Sequence, residues 1–190
     1  MRITFRRVPG HGCAYSVIER DDGVVYHMRE FTRSGASLPH DLRHLVAERE
    51  LKIADGIWGG IAAGMVFTSM EHVRGRRPPQ AGPRSAVLKR SQRQRIMRAE
   101  LLANLVEAVA ALPDPSDQQV ELLAREWVAA VPLTEPGADP AAAAQVPPPA
   151  VLTAAARALQ VEAARWARLR PGEALVYEWP GTRVARPSVT

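Results

Sequence analysis

Four residues between Leu38 and Leu51 (LPHDLRHLVAEREL) could do chemistry together: His40, Asp41, His44 and Glu48. Proline at a first helical position and acid in the first turn are helix-start signals, so the segment reads as a helix opening at Pro39. At 3.6 residues per turn, His40, His44 and Glu48 fall one above another on a single stripe, with Asp41 at its border. Two imidazoles and a carboxylate are the donors that zinc or iron(II) accepts, and i, i+4 spacing lets two histidines reach one ion. His40, His44 and Glu48 are therefore the candidate metal ligands, and Asp41 is the candidate outer-sphere group or base. His11, His27 and His72 are the other histidines that could add a distant ligand, with His27, on an expected strand, preferred. The bland reading of the same residues is complete: Asp41 favours the helix dipole, and His44 with Glu48 is an ordinary i, i+4 pair.

HDLRH resembles the HExxH of zinc peptidases with aspartate in the glutamate's place. A carboxylate one methylene shorter is displaced by about 1 Å, enough to disturb a general base. It also resembles the HDxxH of the ubiquinone-biosynthesis scaffold family, but the stretch where that family carries a further glutamate holds Asp55-Gly56 here. The longer run LPHDLRHLVAERELKIADGIWGGIAAG is similar to a segment of small uncharacterised bacterial proteins that share PHDLxHxxxE. That resemblance covers the first seventy residues or so. It implies a shared α+β architecture and brings no activity with it.

Whatever positions the stripe must come from the flanking elements. Arg2 to Val8, Ala14 to Glu19 and Val24 to Met28 alternate with the period of half-buried strands. Asp22-Gly23 between the last two is a hairpin signal, because its turn needs positive φ. A three-stranded meander has one apolar face and must pack on helices. Leu42, Leu45, Val46 and Ile53 form the apolar stripe by which the central helix would do so. Ile57 to Met70 reads as a glycine-rich helix, or as a helix followed by a strand at Met65 to Thr68. Gly56, Gly60 and Gly64 recur every four residues, which suggests a close backbone approach.

Residues 73–85 read as a basic Pro/Gly loop, followed by a helix from about Ser85 to Leu112 with Met97, Leu101, Leu102, Leu105, Val109 and Leu112 buried. Ser116 with Gln119 is a capping box opening another helix to about Ala130. Residues 131–149 hold six of the sixteen prolines and read as a linker or surface excursion. A helix from about Ala150 to Leu169 and a strand at Ala174 to Trp179 close the chain. Pairing that strand with the meander would bring the ends together. The expected fold is a single α+β domain over 1–190: a small antiparallel sheet from the N-terminal meander and the C-terminal strand, packed on a mainly helical remainder.

Composition bounds the function. The chain has 190 residues, 46% hydrophobic and 24% charged, and a net charge of +5. Between His72 and Ala99 nine basic residues meet no acid, while elsewhere 16 basic residues stand against 20 acidic. Arg74, Arg76, Arg77, Lys89, Arg90 and Arg93 could contact phosphates, giving salt-dependent nucleic-acid binding. They spread around a helix with no aromatic among them for base stacking, so nucleic acid is not the favoured partner. The single Cys13 excludes an intramolecular disulfide and a multi-cysteine zinc site. No run reads as a signal peptide or membrane span, and a cytoplasmic bacterial protein is expected. No phosphate-binding glycine loop or nucleophile elbow is present. The leading expectation is a binding or interaction protein without assignable catalysis, with a homodimer through the alanine-rich amphipathic helices as one form of it. The alternatives are a metal-dependent enzyme on His40, His44 and Glu48, with zinc or iron(II), and a nucleic-acid-binding protein.

Overall fold

The computed structural model describes residues 1–8, 13–31, 38–130 and 145–180. Its sheet has five strands: β1 (Arg2–Arg7), β2 (Cys13–Glu19), β3 (Val25–Phe31), β4 (Met70–Arg74) and β5 (Ala174–Glu178). They lie in the order β4-β3-β2-β1-β5, every neighbouring pair antiparallel. Among the described residues six helices accompany them: α1 (His40–Glu50), α2 (Ile57–Ala63), α3 (Ala81–Ser91), α4 (Arg93–Ala110), α5 (Asp117–Ala130) and α6 (Pro149–Arg168). The architecture is α+β.

Alternation along the strands puts Ile3, Phe5, Ile18, Tyr26, Met28, Leu175 and Tyr177 on one buried face. Helices cover that face. Phe5 stacks edge-on against Trp58 of α2 at 5.8 Å and against Tyr177 of β5 at 5.9 Å. The β2–β3 turn is the one expected: Gly23 takes φ +80° and the Arg20 amide donates to the Val24 carbonyl at 3.0 Å. β5 pairs with β1 from Arg2↔Glu178 to Arg6↔Ala174, and the Trp179 amide donates to the Met1 carbonyl at 2.8 Å. The Arg7 guanidinium donates from one nitrogen to the carbonyls of Trp166, Ala167 and Leu169, neutralising the C-terminal dipole of α6. β1 thus ties α6 to the sheet, and α6 in turn packs beside α1 and α4.

The strand β4 is absent from the expected list, and the basic loop at 73–85 is shorter than expected. Only Met70 of β4 is buried, so this polar edge strand shows no alternation to read. Its register is carried by β3, with His27↔Glu71 and Met28↔Met70. At the other end, α3 already begins at Ala81, because Pro83 lies in the first turn, where the missing N–H costs no intrahelical bond. The helix expected from Ser85 to Leu112 is two helices meeting at Gln92. Ser85 and Lys89 pin α3 to the backbone of Val66, while α4 follows the core through Ala99, Leu102, Leu105, Val106 and Val109. Met97, expected inward, is 42% exposed.

The glycine-rich helix also ends early. Gly64, at φ +114°, takes the left-handed conformation that closes α2 after Ala63, and Met65 to Thr68 is neither helix nor strand. The Ser116–Gln119 capping box is complete: the Ser116 amide donates to Gln119 Oε1 at 2.9 Å and the Gln119 amide to Ser116 Oγ at 3.4 Å. The linker expected at 131–149 lies outside the described residues up to 144, and α6 starts at Pro149.

Candidate metal centre

The sequence dictates the position of α1 through Leu42, Leu45, Val46 and Ala47, all buried in the core. With that face fixed inward, His40 and His44 project along the seam between α1 and α4. Their rings lie 4.5 Å apart, and the two Nε2 atoms face each other at 3.3 Å. The third group is Glu100 of α4. Its Oε2 is 3.1 Å from His44 Nε2 and 3.9 Å from His40 Nε2.

Two of these separations, 3.1 and 3.3 Å, are close to those of ligands around one small cation, and the third, 3.9 Å, is longer. Two donors bound at zinc distances with a tetrahedral angle lie about 3.3 to 3.4 Å apart. Without a cation the two Nε2 atoms at 3.3 Å can share only one proton between them, and His44 Nε2 can instead donate to the Glu100 carboxylate at 3.1 Å. A Lewis acid at the common point satisfies all three lone pairs at once. Among the described residues, this is the group of His, Cys, Asp and Glu side chains whose donor atoms converge in this way.

The site is sealed on one side and open on the other. The His44 side chain is 2% exposed, whereas those of His40 and Glu100 are 43% and 41% exposed. Asp41 Oδ1 stands 3.6 Å from His40 Nδ1, the place of a carboxylate that orients a ligating histidine. That contact, with the charge of Glu100 added, raises the His40 imidazole above its ordinary value against the effect of burial. Burial acts to raise the Glu100 carboxyl. The His44 hydrogen bond and the positive charges of His44, His40 and Arg43 outweigh it and hold the group below the usual carboxylate range. His44 Nδ1 is buried with no partner, so no hydrogen bond on that side fixes its tautomer.

Glu48, expected as the third ligand, is placed elsewhere. It is fully buried, and its two oxygens accept the amide protons of Ile57 at 2.8 Å and Trp58 at 3.1 Å. Its carboxyl caps the N-terminus of α2, where Gly56 supplies no side chain of its own. Gly56 is needed there, because a Cβ would sit 2.6 Å from the Glu48 carboxyl carbon and 2.9 Å from the Ala99 side chain. Burial pushes the Glu48 carboxyl up to about 8, against the amide hydrogen bonds that favour its charge.

The remaining candidates are dispersed. His27 shares the sheet face of Tyr15 and Arg29, opposite to Tyr26 and Met28, and its ring lies 5.3 Å from that of Tyr15. His72 pairs through Nε2 with the Gly75 carbonyl at 2.9 Å. His11 lies outside the described residues. Of the basic residues, Arg74 bonds Glu19 at 3.0 Å and Lys89 bonds the Val66 carbonyl at 3.1 Å. Arg76, Arg77, Arg90 and Arg93 are exposed.

Glu100 is the residue that sequence reasoning missed. The signal available was its position: it is the first acid after the acid-free stretch, immediately next to the buried Ala99 and two before Leu102. An acid at the border of a buried helix face needs a partner, but the sequence does not name which helix supplies it. No protein-family model, curated protein or solved structure matches this chain. No described helix is long and apolar enough to cross a membrane.

Proposed function

We propose that this chain binds one divalent transition-metal ion, zinc or iron(II), through His40 Nε2, His44 Nε2 and the Glu100 carboxylate, and acts as a metal-dependent enzyme. The observation that supports it is the convergence of three lone pairs from two helices on one point, at 3.1, 3.3 and 3.9 Å from one another. Three protein ligands leave at least one coordination position for water or substrate, the pattern that separates reactive from structural metal sites. The half-exposed His40 and Glu100 put that position at the surface, where a substrate can reach it. Such an ion lowers the pKa of bound water or polarises a bound oxygen. The chain's own residues hold it in place: α1 presents both histidines, α4 the carboxylate, and Asp41 orients His40.

The test is metal content by elemental analysis and zinc titration by calorimetry on protein lacking a histidine tag, beside His44→Ala. One equivalent of zinc or iron(II) in the wild type, lost in the variant, is the expected result. Absence of binding in the wild type would leave the three side chains as a hydrogen-bonded seam between helices and end the proposal.

A further inference from the structure

The helices take one face of the sheet, and the other is open. Strand register lays that second face out in rows, because residues directly opposite one another point the same way. Arg29 of β3, Tyr15 of β2 and Arg6 of β1 stand side by side in one row, and His27, Val17 and Thr4 in the next. Both arginines are exposed, and the other four side chains are half-buried. The rings of Tyr15 and His27 lie 5.3 Å apart, tilted by 39°, and make one aromatic surface in the middle of the sheet.

Charge is distributed unevenly around this surface. Among the described residues no acid pairs with Arg6. Arg29 has Glu71 at 3.9 Å, but the two side chains are 76% and 70% exposed, and so loose a pair is worth little in water. The other acids of this face stand at its far end: Glu19 of β2 is held by Arg74 at 3.0 Å, and Glu178 stands opposite Arg2. The end of the sheet at Tyr15 is therefore aromatic and basic at once, which the basic stretch at 74–98 is not. Arg6 and Arg29 are two strand spacings apart, about 10 Å, one on each side of Tyr15. We propose that this face binds single-stranded nucleic acid, with successive bases stacked on Tyr15 and His27 and the flanking phosphates paired by Arg6 and Arg29. Every base has a π-face, so stacking of this kind tolerates any sequence, while the guanidiniums supply the attraction to the backbone. The proposal is independent of the metal centre, which α1 and α4 carry.

The probes are short fluorescein-labelled oligo(dT) and oligo(rU), titrated with the full chain and followed by fluorescence anisotropy over a range of salt concentrations. Tyr15→Phe, Tyr15→Leu, Arg6→Gln and the Arg6→Gln/Arg29→Gln pair are compared with wild type after a circular-dichroism check of folding. At least one of the two strands is expected to bind, less tightly as salt rises. Tyr15→Phe keeps the ring and should bind as wild type does, whereas Tyr15→Leu should bind about tenfold more weakly at every salt concentration. Arg6→Gln should weaken binding and reduce the slope of log affinity against log salt by about one. A preference between the two strands supports the proposal and names the sugar recognised. Failure of wild type to bind either strand at low salt overturns it, and so does wild-type affinity in a folded Tyr15→Leu. A duplex bound as tightly as the single strands also overturns it, because paired bases cannot reach the rings. If Tyr15→Leu does not fold, the arginine pair decides: unchanged affinity there, with loss in an Arg76→Gln/Arg77→Gln variant of the basic loop, or in neither, overturns the assignment to the sheet.

Discussion

The two ends of α1 carry the same chemistry on the same stripe and put it to opposite uses. His40 and His44, in the first half of the helix, meet Glu100 across a seam that opens to solvent. Glu48, one turn further on, meets the start of α2 and is sealed from solvent, with both oxygens committed to backbone amides. The difference lies in what packs against each turn. Opposite His44 the partner is a helix side chain with lone pairs to offer. Opposite Glu48 it is a helix N-terminus that offers only donors, so the carboxylate becomes a cap. An acid's place on a stripe says which direction it points, and the neighbouring element decides whether it becomes a ligand or a support.

The largest expected effect would break that comparison at its structural end. Glu48→Ala strips two buried amides of their acceptor and leaves a cavity, and should cost about 2 to 5 kcal/mol in denaturant unfolding. Glu100→Ala, at a half-exposed position, should cost less than about 1 kcal/mol in metal-free protein. Comparable losses in the two variants would erase the distinction drawn between the two carboxylates.

The pH dependence should follow the same end of the helix. Burial raises the folded-state pKa of Glu48 to about 8, above the ordinary carboxylate value of 4.5. The folded protein therefore binds more protons than the unfolded chain between those values, and stability contributed by protonated Glu48 is lost as pH rises through about 8. In chelator-treated protein, stability should fall by a few kcal/mol from about pH 5 to pH 8. Glu48→Gln, which cannot ionise, should flatten that fall. A slope unchanged in Glu48→Gln would mean that the amide hydrogen bonds keep the group charged throughout.

A smaller effect is expected at Gly56. A methyl group there meets the Glu48 carboxyl at 2.6 Å and Ala99 at 2.9 Å, and relief requires the carboxyl to shift. Gly56→Ala should cost about 1 to 3 kcal/mol in the same assay. Combined with Glu48→Ala, which removes the obstruction, it should cost clearly less than the two separate losses together.

Much of this architecture was legible in the chain. Alternation from Arg2 to Val8 marked one strand and the run from Ala174 to Trp179 another, and the apolar stripe of Leu42, Leu45 and Val46 fixed which way the histidines face. The Asp22-Gly23 turn and the Ser116–Gln119 box were local signals with local geometry, and both are present as read. The parts that escaped depend on contacts distant in sequence. β4 is a polar edge whose pairing comes from β3. The break at Gln92 arises where Ser85 and Lys89 hold α3 to Val66. Glu100 lies 56 residues from His44, and nothing in its own helix announces that α1 lies opposite. Local periodicity gives a side chain its direction, while its partner is set by how helices cross.

The central claim is that the carboxylate from α4 rather than the one from α1 completes the centre. The most direct measurement is zinc titration of metal-free Glu100→Gln and Glu48→Gln side by side with wild type, each first checked for a folded far-UV signature. The account predicts that Glu100→Gln weakens zinc at least tenfold while Glu48→Gln retains near wild-type affinity and one-to-one stoichiometry. Loss of zinc in Glu48→Gln with retention in Glu100→Gln would contradict it.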